Sequence, residues 1–294
     1  MGRTHLRALH GTATPIVAVA EPVARLRSSA AEEFGLSGYE SVEAMLDAGG
    51  IDGVLVVTPS GTHRDVVASV AAAGLPILCE KPCGVSVDDA RAAARAADEA
   101  HVALQVAYWR RFVPALQRMR ERVSEGEFGE ILGVTSLQWD GAPPPAAFRS
   151  SGGGLFIDMG VHEIDQIRWL TGGEFVRTTS VAAGVVTDPD AHEPDGAQLL
   201  GLLSTGATAI VSLGRYYPGG DTATIEVFGT RGHGYVRFLD PVDGERVQLE
   251  ALAAQAAAFA ARARGGVGDG ASASDAVAAL EVAVEATAQT TAAP

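Results

Sequence analysis

The residues best suited to chemistry lie in one run, Asp158-Met159-Gly160-Val161-His162-Glu163-Ile164-Asp165. Offsets of four and three place Asp158, His162 and Asp165 on one face of a helix, so a carboxylate, an imidazole and a second carboxylate converge. An imidazole titrates near neutral pH and can take the proton of a hydroxyl, while a neighbouring carboxylate orients the ring or the substrate. Gly160 permits close backbone approach, and Ser151-Gly152-Gly153-Gly154 lets a loop or ligand lie against the helix start. The same spacing also describes an amphipathic helix with a polar outer face.

Lys81 is the second candidate. Of 22 basic side chains, 21 are arginine and one is lysine. Where either cation serves, this composition uses arginine, so the lysine that persists points to a position needing a compact ammonium whose pKa falls on burial. A chance surface lysine is the alternative. Lys81 sits in Cys79-Glu80-Lys81-Pro82-Cys83. The two cysteines have neither the spacing of a redox CxxC pair nor partners for a four-ligand zinc set, so they read as reduced thiols near the end of a buried strand, and no metal is expected.

These side chains need a scaffold, and 294 residues suit two domains better than one. With 47% hydrophobic and 20% charged residues the chain folds rather than staying disordered. A net charge of -14 disfavours nucleic acid or an anionic membrane as the main partner. No apolar run reaches the ~18 residues of a membrane span. The basic start and Ala-Val-Ala of the first twenty residues resemble a secretion signal, but His10, Gly11, Thr12, Thr14 and Pro15 interrupt its apolar centre. A cytoplasmic protein is expected.

Residues 1–107 alternate β-branched runs with helical patterns. The runs at 15–22, 53–59, 76–82 and 102–108 are almost continuously apolar, as strands buried on both faces are. Helices are expected from 21 to 34 with Gly35 as the stop, after a Ser41 cap, from 61 to 73 before Gly74, and from Ser86 to about 100. This is a doubly wound α/β domain. Residues 108–294 read as α+β: a basic helix from Trp109, a strand at 131–139, a Pro-rich loop at 141–151, the helix carrying His162, and then runs at hairpin spacing. The expected sheet is open and mainly antiparallel, and two alanine-rich helices around a Gly-rich loop close the chain.

A dinucleotide fingerprint needs glycines after a first strand, then a helix, then an acid about 20 positions on for the ribose hydroxyls. Gly2 stands for the last glycine, and Glu21, after the first apolar run, for the acid. A glutamate that merely caps the next helix is the other reading. As a ribose acid Glu21 favours NAD over NADP, because it repels a 2′-phosphate, although Arg25 and Arg27 lie near it in sequence.

Five motifs in order resemble the glucose-fructose oxidoreductase/inositol 2-dehydrogenase (Gfo/Idh/MocA) family. They are Thr58-Pro59 followed by His63, Glu80-Lys81-Pro82, Arg110-Arg111-Phe112, the Asp158-x-Gly160-x-His162-x-x-Asp165 helix, and Glu226-Val227-Phe228-Gly229-Thr230-Arg231-Gly232. The resemblance covers nearly the whole chain. It implies an N-terminal Rossmann domain, a C-terminal domain whose open sheet makes homodimers or homotetramers, and NAD(P)-linked oxidation of a secondary hydroxyl on a sugar or inositol-like polyol. Carried over by position, it implies that Lys81, Asp158 and His162 are catalytic and that Asp165 contacts substrate; Arg111 and Tyr217, the latter before the Pro218-Gly219-Gly220 turn, are further substrate-contact candidates. Gly2, Glu21, Thr58, Pro59, His63, Glu80 and Lys81 are then cofactor-side, with His63 structural or near the cofactor rather than catalytic. His162 is expected as the base, Asp158 as its orienting partner, and Lys81 as the cation beside the developing alkoxide. His5, His10, His101, His192 and His233 read as ordinary.

Against the family pattern, the first strand and first two fingerprint glycines are lacking. Its two neighbours would then carry unpaired ladder groups, and a chain starting at Met1 is expected to fold poorly and bind NAD weakly. A start codon assigned too late would account for this, and a first strand and glycine turn are then expected upstream of Met1. Two alternatives stand beside the dehydrogenase: a non-catalytic relative serving as a binding or oligomer-partner module, and a redox-neutral enzyme that retains NAD and acts on glycosides. Joint retention of Lys81, Asp158 and His162 favours the dehydrogenase.

Overall fold

The computed structural model describes residues 1–145, 149, 152–184, 194–266 and 268–291. Ser151, His192, Val185, Val186, Val267 and most of the Pro-rich loop after Pro145 lie outside the described residues. Two units are present: Met1–Gly84 with Asp88–Trp109 and Leu249–Ser274, and Val85–Val87 with Arg110–Gln248 and Asp275–Pro294. The chain therefore re-enters the first unit after completing the large sheet. No helix among the described residues is long and apolar enough to cross a membrane.

In the first unit the apolar runs become short strands, β1 (Ala18–Ala20), β3 (Val54–Val56), β4 (Ile77–Cys79) and β5 (Leu104–Val106). Between them lie α2 (Ala24–Phe34), α3 (Val42–Ala48), α4 (His63–Ala72) and α5 (Val87–Glu99), with α1 (Gly2–Leu9) ahead of all. The expected end signals operate. The Ser41 hydroxyl accepts from the Ala44 N–H, and Gly35, at φ 69°, takes the left-handed conformation that stops α2. A further strand, β2 (Ser37–Tyr39), is too short and polar to announce itself and exists through parallel pairing with β1.

The strands form two separate sheets. One is β1-β2; the other runs β12-β5-β4-β3, with β12 (Ala271–Ser272) antiparallel to β5. From α8 (Gly244–Ala263), Phe259 packs with Leu78, Ala107 and Leu55 of the same unit. A cavity of about 640 Å³ lies between β1 and β3, lined by residues 16–20 and 53–58 together with Leu6, Leu9 and Phe259. The Val17 carbonyl and the Glu21 N–H bond to β2 residues, and the Val54 N–H and Val56 carbonyl bond to the β4 side. Parallel ladders alternate, so the peptide groups of Ala18, Ala20 and Leu55 turn toward the cavity. The sheet is split at the place where the sequence reading lacks a strand.

The second unit holds α6 (Pro114–Ser124), α7 (Val161–Thr171), α9 (Ala273–Thr291) and six strands. These are β6 (Ile131–Trp139), β7 (Phe175–Ala183), β8 (Gly196–Leu203), β9 (Thr208–Gly214), β10 (Thr222–Gly229) and β11 (His233–Leu239). Their order is β11-β10-β6-β9-β8-β7, antiparallel throughout except for the parallel β6–β9 pair. One face is core, with Val134, Leu199, Val211, Ile225 and Val227 buried. The alternative of an amphipathic α7 with a polar outer face does not hold: every residue from Val161 to Leu170 is buried, because its charges find partners inside the unit.

Candidate active site

In the first unit the cofactor-side candidates follow the carboxyl ends of strands. Glu21 follows β1, and one of its carboxylate oxygens accepts the Val23 N–H at 2.9 Å, just ahead of α2. Thr58 and Pro59 follow β3, where the Thr62 hydroxyl donates to the Pro59 carbonyl (2.8 Å) and lies 2.9 Å from the Thr58 hydroxyl. His63 is buried with each ring nitrogen 2.8 Å from a carbonyl oxygen, one of Thr58 and one of Pro82. It ties the turn after β3 to the turn that carries Lys81. Gly2 opens α1 against Val57.

Glu80 is held on both sides. One oxygen lies 2.6 Å from His5 Nε2 and the other accepts the Lys81 N–H at 3.2 Å. His5, read from the sequence as ordinary, is thus the buried partner of the residue before the lysine. The Lys81–Pro82 peptide bond is cis. Cys79 and Cys83 are free and buried. Contact with Cys83, followed by burial, pushes the Cys79 thiol well up, which suits an inert thiol.

In the second unit Asp158 lies on a π-helical turn, Phe156–Gly160, that leads directly into α7 and its buried His162. Such turns displace side chains from regular helical positions and recur at functional sites. At Gly160 a Cβ would meet Leu213 Cδ1 at 3.2 Å, so the glycine lets this turn sit on β9. Asp158 accepts from Arg215 Nη2 at 3.0 Å, and Arg215 Nη1 donates to Asp140 at 2.5 Å. Asp140 also accepts from Gln138 (3.2 Å), which in turn accepts from Arg110. Arg110 donates to Glu163 at 2.5 Å, and the Ser136 hydroxyl donates to the other Glu163 oxygen. Burial raises the Asp140 carboxyl, opposed by Gln138 and Arg215.

Arg111 and Asp165 meet each other. Arg111 Nε and Nη2 donate to Asp165 at 2.9 and 2.5 Å, and Nη1 reaches Asp275 at 3.3 Å. Burial pushes the Asp165 carboxyl up while Arg111 holds it down. Tyr217 is half-exposed, and its N–H donates to the Asp140 carbonyl at 2.8 Å. Arg215, Asp140, Gln138 and Glu163 escaped the sequence reading. Glu163 lay inside the motif, and Arg215 stands two residues before Tyr217, but neither position identifies its partner.

Residues 1–108 match the oxidoreductase family with an NAD-binding Rossmann fold, and residues 116–234 match the GFO/IDH/MocA C-terminal domain. The chain belongs to the GFO/IDH/MocA oxidoreductase family. It is 50% identical to the rhizopine catabolism protein MocA of Rhizobium meliloti, over 98% of this chain and 91% of that one. Identity to the inositol 2-dehydrogenase of R. meliloti strain 1021 is 32%, over 79% and 71%. A solved structure, described as a candidate myo-inositol dehydrogenase from Sinorhizobium meliloti 1021, superposes with TM-score 0.92 at 30% identity, covering 99% and 94% of the two chains. The scyllo-inositol dehydrogenase of Lactobacillus casei, solved with NAD(H) and scyllo-inositol, shares the fold at TM-score 0.88 and 24% identity, covering 99% and 94%. The two matched ranges take in four of the five motifs, and Arg110-Arg111-Phe112 falls between them.

Proposed function

We propose that the chain is an NAD-dependent dehydrogenase that oxidises one secondary hydroxyl of an inositol-like polyol or a sugar. What supports this most is the buried His162 following Asp158 by one helical turn, in a chain whose relatives include named inositol dehydrogenases. The first unit suits a dinucleotide: Glu21, Thr58, Pro59, Glu80 and Lys81 follow the carboxyl ends of parallel strands, where α/β folds bind nucleotides, and Gly2 opens a helix. The Glu21 carboxylate favours NAD over NADP. When bound, NAD supplies the hydride acceptor.

His162 takes the proton of the hydroxyl as hydride leaves its carbon, and returns it in the reverse direction. Asp158 orients the imidazole, and the Lys81 ammonium stabilises the oxygen as negative charge builds on it. Arg111 and Asp165 neutralise each other and brace α7. Two buried, reduced thiols suit the cytoplasm. The outer face of the six-stranded sheet is the proposed surface for a homodimer or homotetramer.

The test is absorbance at 340 nm with NAD and a panel of inositols and sugars. NADH accumulating with one polyol is the expected result. NAD binding by calorimetry without NADH on any of the panel, together with cleavage of a glycoside, would replace this reading by the redox-neutral one.

A further inference from the structure

We propose that Arg215 is a positioning residue for Asp158, bridging it to Asp140 and fixing the carboxylate one helical turn ahead of His162. The inference rests on the reading of His162 as the base. Asp158 stands on a π-turn rather than in the regular helix, and Arg215, the residue after β9, holds its carboxylate at 3.0 Å. The planar guanidinium fork spans two carboxylates at once, one per terminal nitrogen, which a lysine ammonium does less well.

Arg215 is itself fixed. It is 4% exposed, and its N–H donates to the Asp195 carbonyl at 2.8 Å. Tyr216, at φ 63°, turns the chain immediately after it, and the Tyr217 N–H returns to the Asp140 carbonyl. The Asp140 N–H in turn donates to the Gly214 carbonyl at 2.9 Å. Beyond Asp140 the chain of bonds continues through Gln138 and Arg110 to Glu163. Asp158 and Glu163 flank His162 in sequence, so the network is a bracket closed around the stretch that carries the imidazole. Among the charged groups here are Asp140, Asp158, Arg215 and Asp221, whose Oδ1 accepts the Gly141 N–H at 2.8 Å.

The experiment uses the full chain and the variants Arg215→Met, Arg215→Lys and Asp140→Asn. The His162 imidazole is titrated by NMR without substrate, its signal assigned with His162→Gln, and kcat is measured with the best polyol. Loss of the cation should raise the His162 midpoint by about half a pH unit or more, and loss of the Asp140 charge should lower it. Opposite shifts are not produced by loosened packing alone. Arg215→Met should lower kcat at least about 10-fold with NAD affinity unchanged, and Arg215→Lys should not restore it. Unmoved or same-direction midpoints in folded variants, or kcat within about two-fold of the parent, would overturn the proposal. If Arg215→Met does not fold, Asp140→Asn decides by its own shift. A parent chain that makes no NADH would count against the dehydrogenase reading, while the two titrations still decide the clamp.

Discussion

Arg111 shows what one buried charge owes to another. Its guanidinium holds the fully enclosed Asp165 with two bonds, and burial alone pushes that carboxyl up. Arg111→Met would strand the carboxylate, a loss of about 3–5 kcal/mol. A carboxyl whose folded pKa is raised contributes stability below its unfolded value and loses it as pH rises through the folded one. The deficit of Arg111→Met should therefore be full only above the raised folded value and shrink as pH falls toward the ordinary carboxylate range. Urea unfolding at several pH values checks this, and a deficit independent of pH would contradict it. At the reacting groups, His162→Ala should lower kcat by roughly 10²-fold with NAD affinity retained. Lys81→Arg should also lose most activity despite keeping its charge, because a wide fork does not replace a compact ammonium. Steady-state kinetics beside NAD calorimetry decide both. The lone lysine and the His162 spacing were legible in sequence because each is a local pattern. Arg215–Asp158, Arg110–Glu163 and His5–Glu80 were not, because their partners lie 57, 53 and 75 positions apart and meet only through the fold.

At the scale of elements, apolar runs bounded by Pro and Gly announced the short parallel strands, alternating runs at hairpin spacing announced the large sheet, and Ser41 and Gly35 marked their helix ends as expected. What remained hidden exists only by pairing or burial. β2 and β12 are recruited by β1 and β5, and the π-turn before α7 has no sequence signature of its own. The split in the first unit's sheet has a direct dynamic consequence. Peptide groups of Val54 and Val56 are paired to β4, whereas those of Ala18, Ala20 and Leu55 turn toward the cavity. Amide protection follows pairing and local stability. The Ala18, Ala20 and Leu55 amides should exchange much faster than those of Val19, Val54 and Val56, measured by NMR. Equal protection across both sets would show that some other group pairs these edges.

For the molecule as a whole, the outer face of the six-stranded sheet is the proposed surface for a second copy of the chain. Cross-strand register puts Leu200 opposite Ile210, Ile210 opposite Thr135, Thr135 opposite Glu226, and Glu226 opposite Tyr235. Val181 and Phe228 fall on the same face by the two-residue alternation. Val181, Leu200 and Tyr235 are 64%, 59% and 56% exposed, so large apolar side chains stand open to water across a face that also carries Thr135 and Glu226. Monomeric proteins seldom leave such a patch to water. A sheet face also offers the same surface on each copy, which a two-fold dimer requires. A net charge of -14 opposes association at long range but is screened by salt, whereas apolar contact is not. The chain should therefore run as a dimer or tetramer in size-exclusion chromatography with light scattering, and hold that mass as salt rises. Leu200→Glu or Val181→Asp should shift it to a monomer with its helix content unchanged. A parent chain that is monomeric at tens of micromolar, or a Leu200→Glu variant of undiminished mass, would exclude this face as the interface.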